Sequence, residues 1–388
     1  MTTTAPLPDT FPAVAAPYRG RIADLDSHLM VPTRLAGQAL GTFGKVAGGI
    51  SSVLFRFNKE AAVAMNPEES PVSADNVWTV KGAAAPGGTH ADTRLQALDL
   101  MGIRRQLVFP DVMSAFIAWG RQPGAVGAMK AHNDYALDWA SDSGGRLVPA
   151  AILNVRNLDV AVAEAERMAA KGARAVMIPD GVLPGGKSPA HTDVDRLWAV
   201  LAEAGIAVLL HIGGQHGFTS GKWEQTEILR TNVKSLGSEG DPIGPHTLAT
   251  MHLSPVNYLS TLIFGGVLER HPTLKLGVME LGALWVGPMA ELLDNRANFT
   301  SRVSKALSLK PSEYIRRQLR VTVFWQESVG EIIDRYGLEE VFCFASDFPH
   351  REGGTDPLGE VAASLAGQPD PVLEKFFVSN GDLILGDA

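Results

Sequence analysis

One cysteine, Cys343, stands in 388 residues, which excludes a disulfide framework, a cysteine zinc site and a cysteine-ligated iron–sulfur cluster. Any metal must therefore rest on histidine and carboxylate. Basic residues are also short, 34 against 42 acids, and a net charge of −8 offers no electrostatic footprint for nucleic acid or an anionic lipid surface. No window reaches eighteen uninterrupted apolar residues. The opening MTTTAPLPDTFPAVAAPYRG lacks a basic segment followed by an apolar one, so neither a signal peptide nor a membrane span is expected and the cytoplasm is the expected compartment. What is abundant is apolar material, 45% of the chain, too much for a disordered chain and enough for a large core.

Residues 1–20, rich in Thr, Pro and Ala, read as a loose arm lying over the domain. From residue 21 to 388 one barrel domain is expected. Short apolar runs recur there, at 21–28, 104–111, 146–153, 174–180, 206–211, 274–282, 319–325 and 340–347. Helical stretches lie between them, such as NLDVAVAEAERMAAKG with Asn157 as N-cap and Gly172 as stop, and TDVDRLWAVLAEAG ending at Gly205. Strand and helix in alternation imply a parallel sheet covered by helices. Eight continuous apolar runs, buried on both faces, fit an α/β fold of the (β/α)8 TIM-barrel type better than an open sheet.

Two connections exceed a minimal barrel, at about 30–95 and 212–255, and loops of that length are usually lids or binding surfaces. The first carries Phe55, Phe57 and Trp78, and the second Trp223 with His216, His246 and His252. These aromatics are expected to wall a substrate site for a sizeable apolar body. Lys187, Lys222 and Arg351 are the loop cations available for an anionic portion of a substrate.

In a parallel barrel the chemistry gathers where strands end. The first run closes with Asp26-Ser27-His28, and a period of two places Asp26 and His28 on one face. The fifth ends at His211, the sixth at Glu280, and the eighth at Asp347 followed by Phe348-Pro349-His350. Singly, each has an ordinary explanation as a strand-end hydrogen bond or a helix cap. Together, three acids in a dry mouth are costly unless paired, protonated or bound to a cation, and with two imidazoles they form a nitrogen and oxygen ligand set for a divalent transition metal. His252 and His350 are further candidates, as ligands or proton carriers.

These residues resemble the amidohydrolase superfamily, within it the amidohydrolase-2 branch that includes aminocarboxymuconate-semialdehyde and resorcylate-type decarboxylases. The resemblance runs from about Arg21 to Gly386 and is carried by DLDSH, LLH, LIFGGVLERHPTLKLGVMELGALW, ASDFPHREGG and the closing VSNGDLILG, where Gly381 replaces the family's alanine. It implies a metal-dependent barrel enzyme. The chain departs from the family at Asp26, where many members have histidine, and at Glu280, where decarboxylases commonly have histidine. No lysine ends the fourth strand to bridge two metals, Lys187 being the next in the chain.

Carboxylate-rich sites with two histidines are the setting in which iron pairs activate dioxygen. The variant also resembles the barrel-fold non-haem di-iron monooxygenases of platensimycin and platencin biosynthesis. That resemblance implies an oxidoreductase hydroxylating a bulky diterpenoid, as a CoA thioester, in natural product biosynthesis. Two iron ions would then sit on Asp26, His28, His211, Glu280 and Asp347 with His252 or His350, Glu280, Asp347 and His252 would take part in catalysis, and an external electron donor or reductase would be needed. The alternative is a mononuclear decarboxylase or hydrolase with one zinc or manganese on Asp26, His28, His211 and Asp347, and with Glu280 as acid or base. A homodimer is a further expectation, and a non-catalytic binding barrel a third reading.

Two candidates fall away on context. Residues 181–188 satisfy the phosphate-loop spacing G-x-x-x-x-G-K-S, but Pro189 follows at once and no helix opens within the motif. Cys343, between Phe342 and Phe344, reads as a packing residue, and His271 as structural.

Overall fold

Alternating side chains build the barrel from its own strands. In the strand Leu147–Ile152, Val148, Ala150 and Ile152 face one apolar cluster, and Leu147 and Ala151 face another. The first cluster fills the barrel interior and the second lies between strands and helices, as expected of a parallel sheet covered on its outer face. The computed structural model describes residues 11–46, 66–215, 218–229 and 244–386. Phe55, Phe57 and His216 lie outside the described residues, as do residues 1–10 of the arm. Of the rest of the arm, Ala15 and Tyr18 are buried, and Tyr18 stacks on Phe377 with ring centroids 5.5 Å apart.

The strands are β1 (Ile22–Asp24), β2 (His28–Leu29), β3 (Ile103–Pro110), β4 (Leu147–Ile152), β5 (Ala175–Met177), β6 (Ala207–His211), β7 (Lys275–Met279), β8 (Leu319–Thr322) and β9 (Phe342–Cys343). All pairings are parallel, in the order β1-β3-β4-β5-β6-β7-β8-β9, with β2 continuing β1 against β3. The ring closes through backbone bonds from Leu25 N to Phe344 O (3.0 Å), Asp347 N to Asp26 O (2.9 Å) and His28 N to Phe348 O (2.7 Å). These join the first stave to the last, so the fold is a (β/α)8 barrel. Both long connections leave from C-terminal strand ends, at Leu29 and His211.

The covering helices include α1 (Ala91–Met101), α2 (Ala125–Ala140), α3 (Leu158–Ala170), α4 (Asp195–Glu203), α5 (Leu253–Phe264), α6 (Val286–Ala297), α7 (Val329–Tyr336) and α8 (Asn380–Leu385). Asn157 caps α3, its side chain accepting from the backbone N–H groups of Asp159 and Val160, and Gly172 ends the turn with φ +77°. Beneath the barrel, Ile384 and Leu385 of α8 join the interior cluster. The departure at Gly381 has a steric cause: a Cβ there would come within 2.5 Å of the Ala23 methyl. No phosphate loop forms at residues 181–188, where Pro184–Gly186 make one 3-10 turn. Cys343 is buried, and burial pushes its thiol up to about 12.

His132 on α2 is 1% exposed, and neither ring nitrogen is hydrogen-bonded among the described residues. Burial lowers its pKa from 6.5 to about 4, so the folded chain holds it neutral where the unfolded chain takes up a proton. Its contribution is complete above pH 6.5 and is lost as pH falls toward 4, on the order of 3 kcal/mol for a shift of that size. Urea unfolding of the parent and of His132→Leu at pH 7 and pH 4.5 should show the parent losing more stability on acidification. Equal losses would remove His132 from the acid response.

Candidate metal centre

The inward parity of β6 runs Ala207, Leu209, His211, with the first two in the interior cluster, and this brings His211 into the barrel mouth. The same parity fails for the carboxylates. In β7 Met279 faces the interior, so regular alternation would send Glu280 outward, but Glu280 has φ +54° and its N–H bonds Thr322 Oγ1 at 3.1 Å. Asp347, four residues past β9, likewise has φ +50°. A left-handed conformation at a non-glycine residue costs about 1 kcal/mol, and such outliers concentrate at functional sites. Both turns aim a carboxylate inward.

On the first stave Ala23 and Leu25 pack the interior, and Asp24 points to the helix side, where it meets Gln106 and Ser346. The period-of-two reasoning for Asp26 and His28 therefore needs correction. The ladder breaks between Asp24 and His28, and this break turns Asp26 into the mouth beside His28.

The five strand-end residues meet there. His28 Nε2 lies 3.5 Å from Asp26 Oδ1, 3.4 Å from Asp347 Oδ1 and 3.9 Å from Glu280 Oε2. His211 Nε2 lies 3.4 Å from both Asp26 Oδ1 and Glu280 Oε2. His350 joins them, its Nδ1 3.3 Å from Asp347 Oδ1 and its ring stacked on His28 with centroids 3.8 Å apart. Two overlapping donor groups result, Asp26, His28 and His211, and His28, Glu280, Asp347 and His350, each with donor atoms within 4.8 Å of one another.

The hydrogen bonds of the imidazoles fix what they present. His28 Nδ1 faces the Pro110 carbonyl at 3.2 Å and His211 Nδ1 faces the Ile212 carbonyl at 3.0 Å. A carbonyl only accepts, so each Nδ1 is the N–H donor and each Nε2 turns a lone pair to the cluster. Asp26 Oδ2, His28 Nε2 and both Asp347 carboxylate oxygens are buried with no hydrogen-bond partner among the described residues. Burial holds His28 down at about 3, and burial raises Asp26. For Asp347 burial acts upward too, yet the neighbouring His350 and His28 hold its carboxyl below the usual range. Neighbouring donors stand 3.4 to 3.5 Å apart, close enough for one cation to touch both. The residues present fit a divalent cation.

A second layer, which strand-end reasoning missed, supports the mouth. Asp24 Oδ2 accepts from Gln106 Nε2 at 2.7 Å and from Ser346 Oγ at 2.5 Å, and Oδ1 accepts from Ser346 N at 2.9 Å. Gln106 Oε1 in turn accepts from Arg94 at 2.8 Å, and Arg94 also donates to the His28 carbonyl at 2.7 Å. Fully buried, Arg94 is pushed down to about 9. The chain of contacts ties β1, β3 and the Asp347 turn to α1. Beside β6, Gln215 Nε2 bonds the His211 carbonyl at 3.0 Å and lies 3.4 Å from Asp180 Oδ1. Burial raises Asp180 to about 6. The repeated acid in Asp24-Leu25-Asp26 was a legible signal for Asp24, whereas nothing local marks Arg94.

The other candidates lie apart. His252 is half-buried at the start of α5 and lines a cleft that opens from Glu280, outside both donor groups. Trp78 is half-buried against the core, and Trp223 is 69% exposed. Lys187 pairs with Asp193 beside a separate groove that also holds Arg156 and Arg196. Lys222 lies in the exposed 3-10 turn Gly221–Glu224, and Arg351 is exposed. His246 faces Glu224 at 3.5 Å and His271 faces Asp195 at 3.5 Å.

A (β/α)8 barrel with buried histidines and carboxylates converging at its C-terminal mouth defines the architecture of metal-dependent barrel enzymes. A family model described as amidohydrolase matches residues 63–381, and the chain belongs to the amidohydrolase family. Among curated proteins, none matches by sequence. A solved amidohydrolase from Mycobacterium avium subsp. paratuberculosis is similar with a TM-score of 0.69 at 19% identity, over 94% of this chain and 99% of that one. The 2,6-dihydroxybenzoate decarboxylase of Rhizobium gives 0.59 at 13% identity, over 94% and 98%. A dihydroxybenzoic acid decarboxylase from a Polaromonas species, solved with bound manganese and the inhibitor 2-nitroresorcinol, gives 0.58 at 12% identity, over 94% and 96%. At these identities the likeness shows the fold. Among the described residues, no helix is long and apolar enough to cross a membrane.

Proposed function

We propose that this chain is a single-metal lyase or hydrolase, removing a carboxyl group or cleaving a carbonyl-centred bond, in preference to the di-iron monooxygenase reading. The observation that carries it is the donor group Asp26 Oδ1, His28 Nε2 and His211 Nε2, linked by contacts of 3.4 to 3.5 Å, with Asp347 Oδ1 3.4 Å from His28 Nε2 and Glu280 Oε2 3.4 Å from His211 Nε2. Asp26, His28 and His211 would hold one manganese or zinc ion, with Asp347, which contacts His28, as the fourth candidate ligand. When bound, that ion polarises a substrate carbonyl or carboxylate and acidifies water. The protein's own part is to orient the two imidazoles through the Pro110 and Ile212 carbonyls and to keep the mouth dry. Glu280 stands at the inner end of the cleft, where its carboxyl can give or take the proton at the reacting carbon or leaving group. The decarboxylases among the similar structures, one with manganese bound, support this reading.

One observation favours the oxygenase: the second donor group, with Glu280 and His350, shares His28 with the first. A pair of irons bridged by carboxylate would use both. Metal analysis of protein purified from unsupplemented cells separates the readings. About one manganese or zinc per chain is expected, while two irons per chain with dioxygen uptake on reduction would overturn the proposal.

A further inference from the structure

A cleft of about 990 Å³, lined by described residues, opens outward from Glu280 between the ends of β7 and β8. Its walls are apolar, with Leu248, Met251, Leu284, Trp285, Phe324 and Ile332 among them. Leu248 and Leu284 are 53% and 62% exposed, so hydrocarbon faces water on the cleft wall. Exposed leucines gathered along a concave wall, rather than scattered, mark a binding surface.

Charge narrows the occupant further. Of the described residues lining the cleft, Arg335 is the one arginine or lysine, and it stands with Glu327, Glu331 and Glu352. Glu327 is a wall element, its carboxylate accepting from the backbone N–H groups of Ala283, Leu284 and Phe324. A polyphosphate or CoA tail would meet acid here without a cationic cradle.

We infer that the substrate is an extended, uncharged hydrocarbon body, aliphatic or polycyclic, whose reactive carboxyl or carbonyl end reaches Glu280 and whose length lies against Leu248, Leu284 and Ile332. The inference rests on the single-metal reading for the reactive end only. It places the substrate wall at the ends of the sixth and seventh staves, with Leu248 and Met251 contributed by the second insertion.

Straight-chain hydroxamic acids test it, since the head chelates a metal and the tail probes the cleft. Calorimetry on manganese-loaded protein compares acetohydroxamate, octanohydroxamate and an eight-carbon hydroxamate whose far end is a carboxylate. Burying a methylene is worth about 0.8 kcal/mol, so six of them should tighten binding by on the order of 100-fold or more. The terminal carboxylate should remove most of that gain. In the double variant Leu248→Glu/Leu284→Glu, two exposed positions whose change leaves the core alone, the chain-length gain should largely disappear while acetohydroxamate binds as before. Equal binding of short and long tails, or a preference for the charged tail, would overturn the cleft assignment and leave the metal reading standing. Failure of all three to bind would overturn the metal reading and this inference with it.

Discussion

His211→Ala protein is expected to bind manganese or zinc on the order of 100-fold or more weakly than the parent, because even partners that only orient a ligand are worth 10- to 100-fold in affinity. His211 Nε2 sits 3.4 Å from Asp26 Oδ1 and 3.4 Å from Glu280 Oε2. Without the imidazole, the mouth loses the nitrogen donor that stands between the two carboxylates. The fold should persist, since the backbone of β6 keeps its ladder to β7 and the ring gives up local contacts at the mouth, among them the Ile212 carbonyl at 3.0 Å and the rings of Phe109 and His28 with centroids 4.3 and 5.1 Å away. Far-UV circular dichroism should therefore match the parent. The rise in melting temperature on adding metal, which follows from binding to the native state alone, should shrink or vanish. A variant that keeps stoichiometric metal and the full thermal shift would show that His211 is not a ligand.

The strand ends were legible because parallel strands buried on both faces leave their first polar residue at the rim. His211 is the plain case, a histidine directly after Ala207-Val208-Leu209-Leu210, in register with the interior positions. Glu280 and Asp347 were legible as residues but not as geometry. Simple alternation sends Glu280 outward, and its inward aim depends on a left-handed φ that no local motif announces. Arg94 and Gln106 were invisible for a different reason. A buried guanidinium is tolerable only when every donor is satisfied, and its acceptors come from Gly87, His28 and Gln106, which only the folded chain brings together.

The cleft beside Glu280 shows what composition alone leaves unread in loops. An aromatic in a long connection signals binding only if tertiary contacts turn it toward the mouth, and Trp223 sits in the turn Gly221–Glu224 with most of its surface in water. The cleft is assembled from Leu248, which belongs to the second long connection, and from Trp285 and Ile332, which belong to two others. None of these stands out in sequence, because each also satisfies the apolar pattern of a helix or its approach. Their common wall comes from adjacent staves, which place sequence-distant helix starts side by side at one rim.

Glu280→Gln is expected to leave metal content near that of the parent and to lower turnover by about 100- to 10,000-fold, the usual span for removing a positioned acid or base. The amide keeps the shape of the side chain, and the backbone bond from residue 280 to Thr322 Oγ1 is untouched, so the inward turn should survive. What it loses is the ability to hold and release a proton at the inner end of the cleft. The test is paired measurement: metal per chain by elemental analysis, and turnover on whichever member of a panel of apolar carboxylic acids and esters the parent consumes. If Glu280 is instead a bridging ligand in the donor group with His28, Asp347 and His350, the neutral amide is a poorer donor and metal occupancy should fall together with activity. Full occupancy with lost turnover supports Glu280 as acid or base. Parallel loss of both, with iron as the metal displaced, would carry the assignment to a two-metal centre.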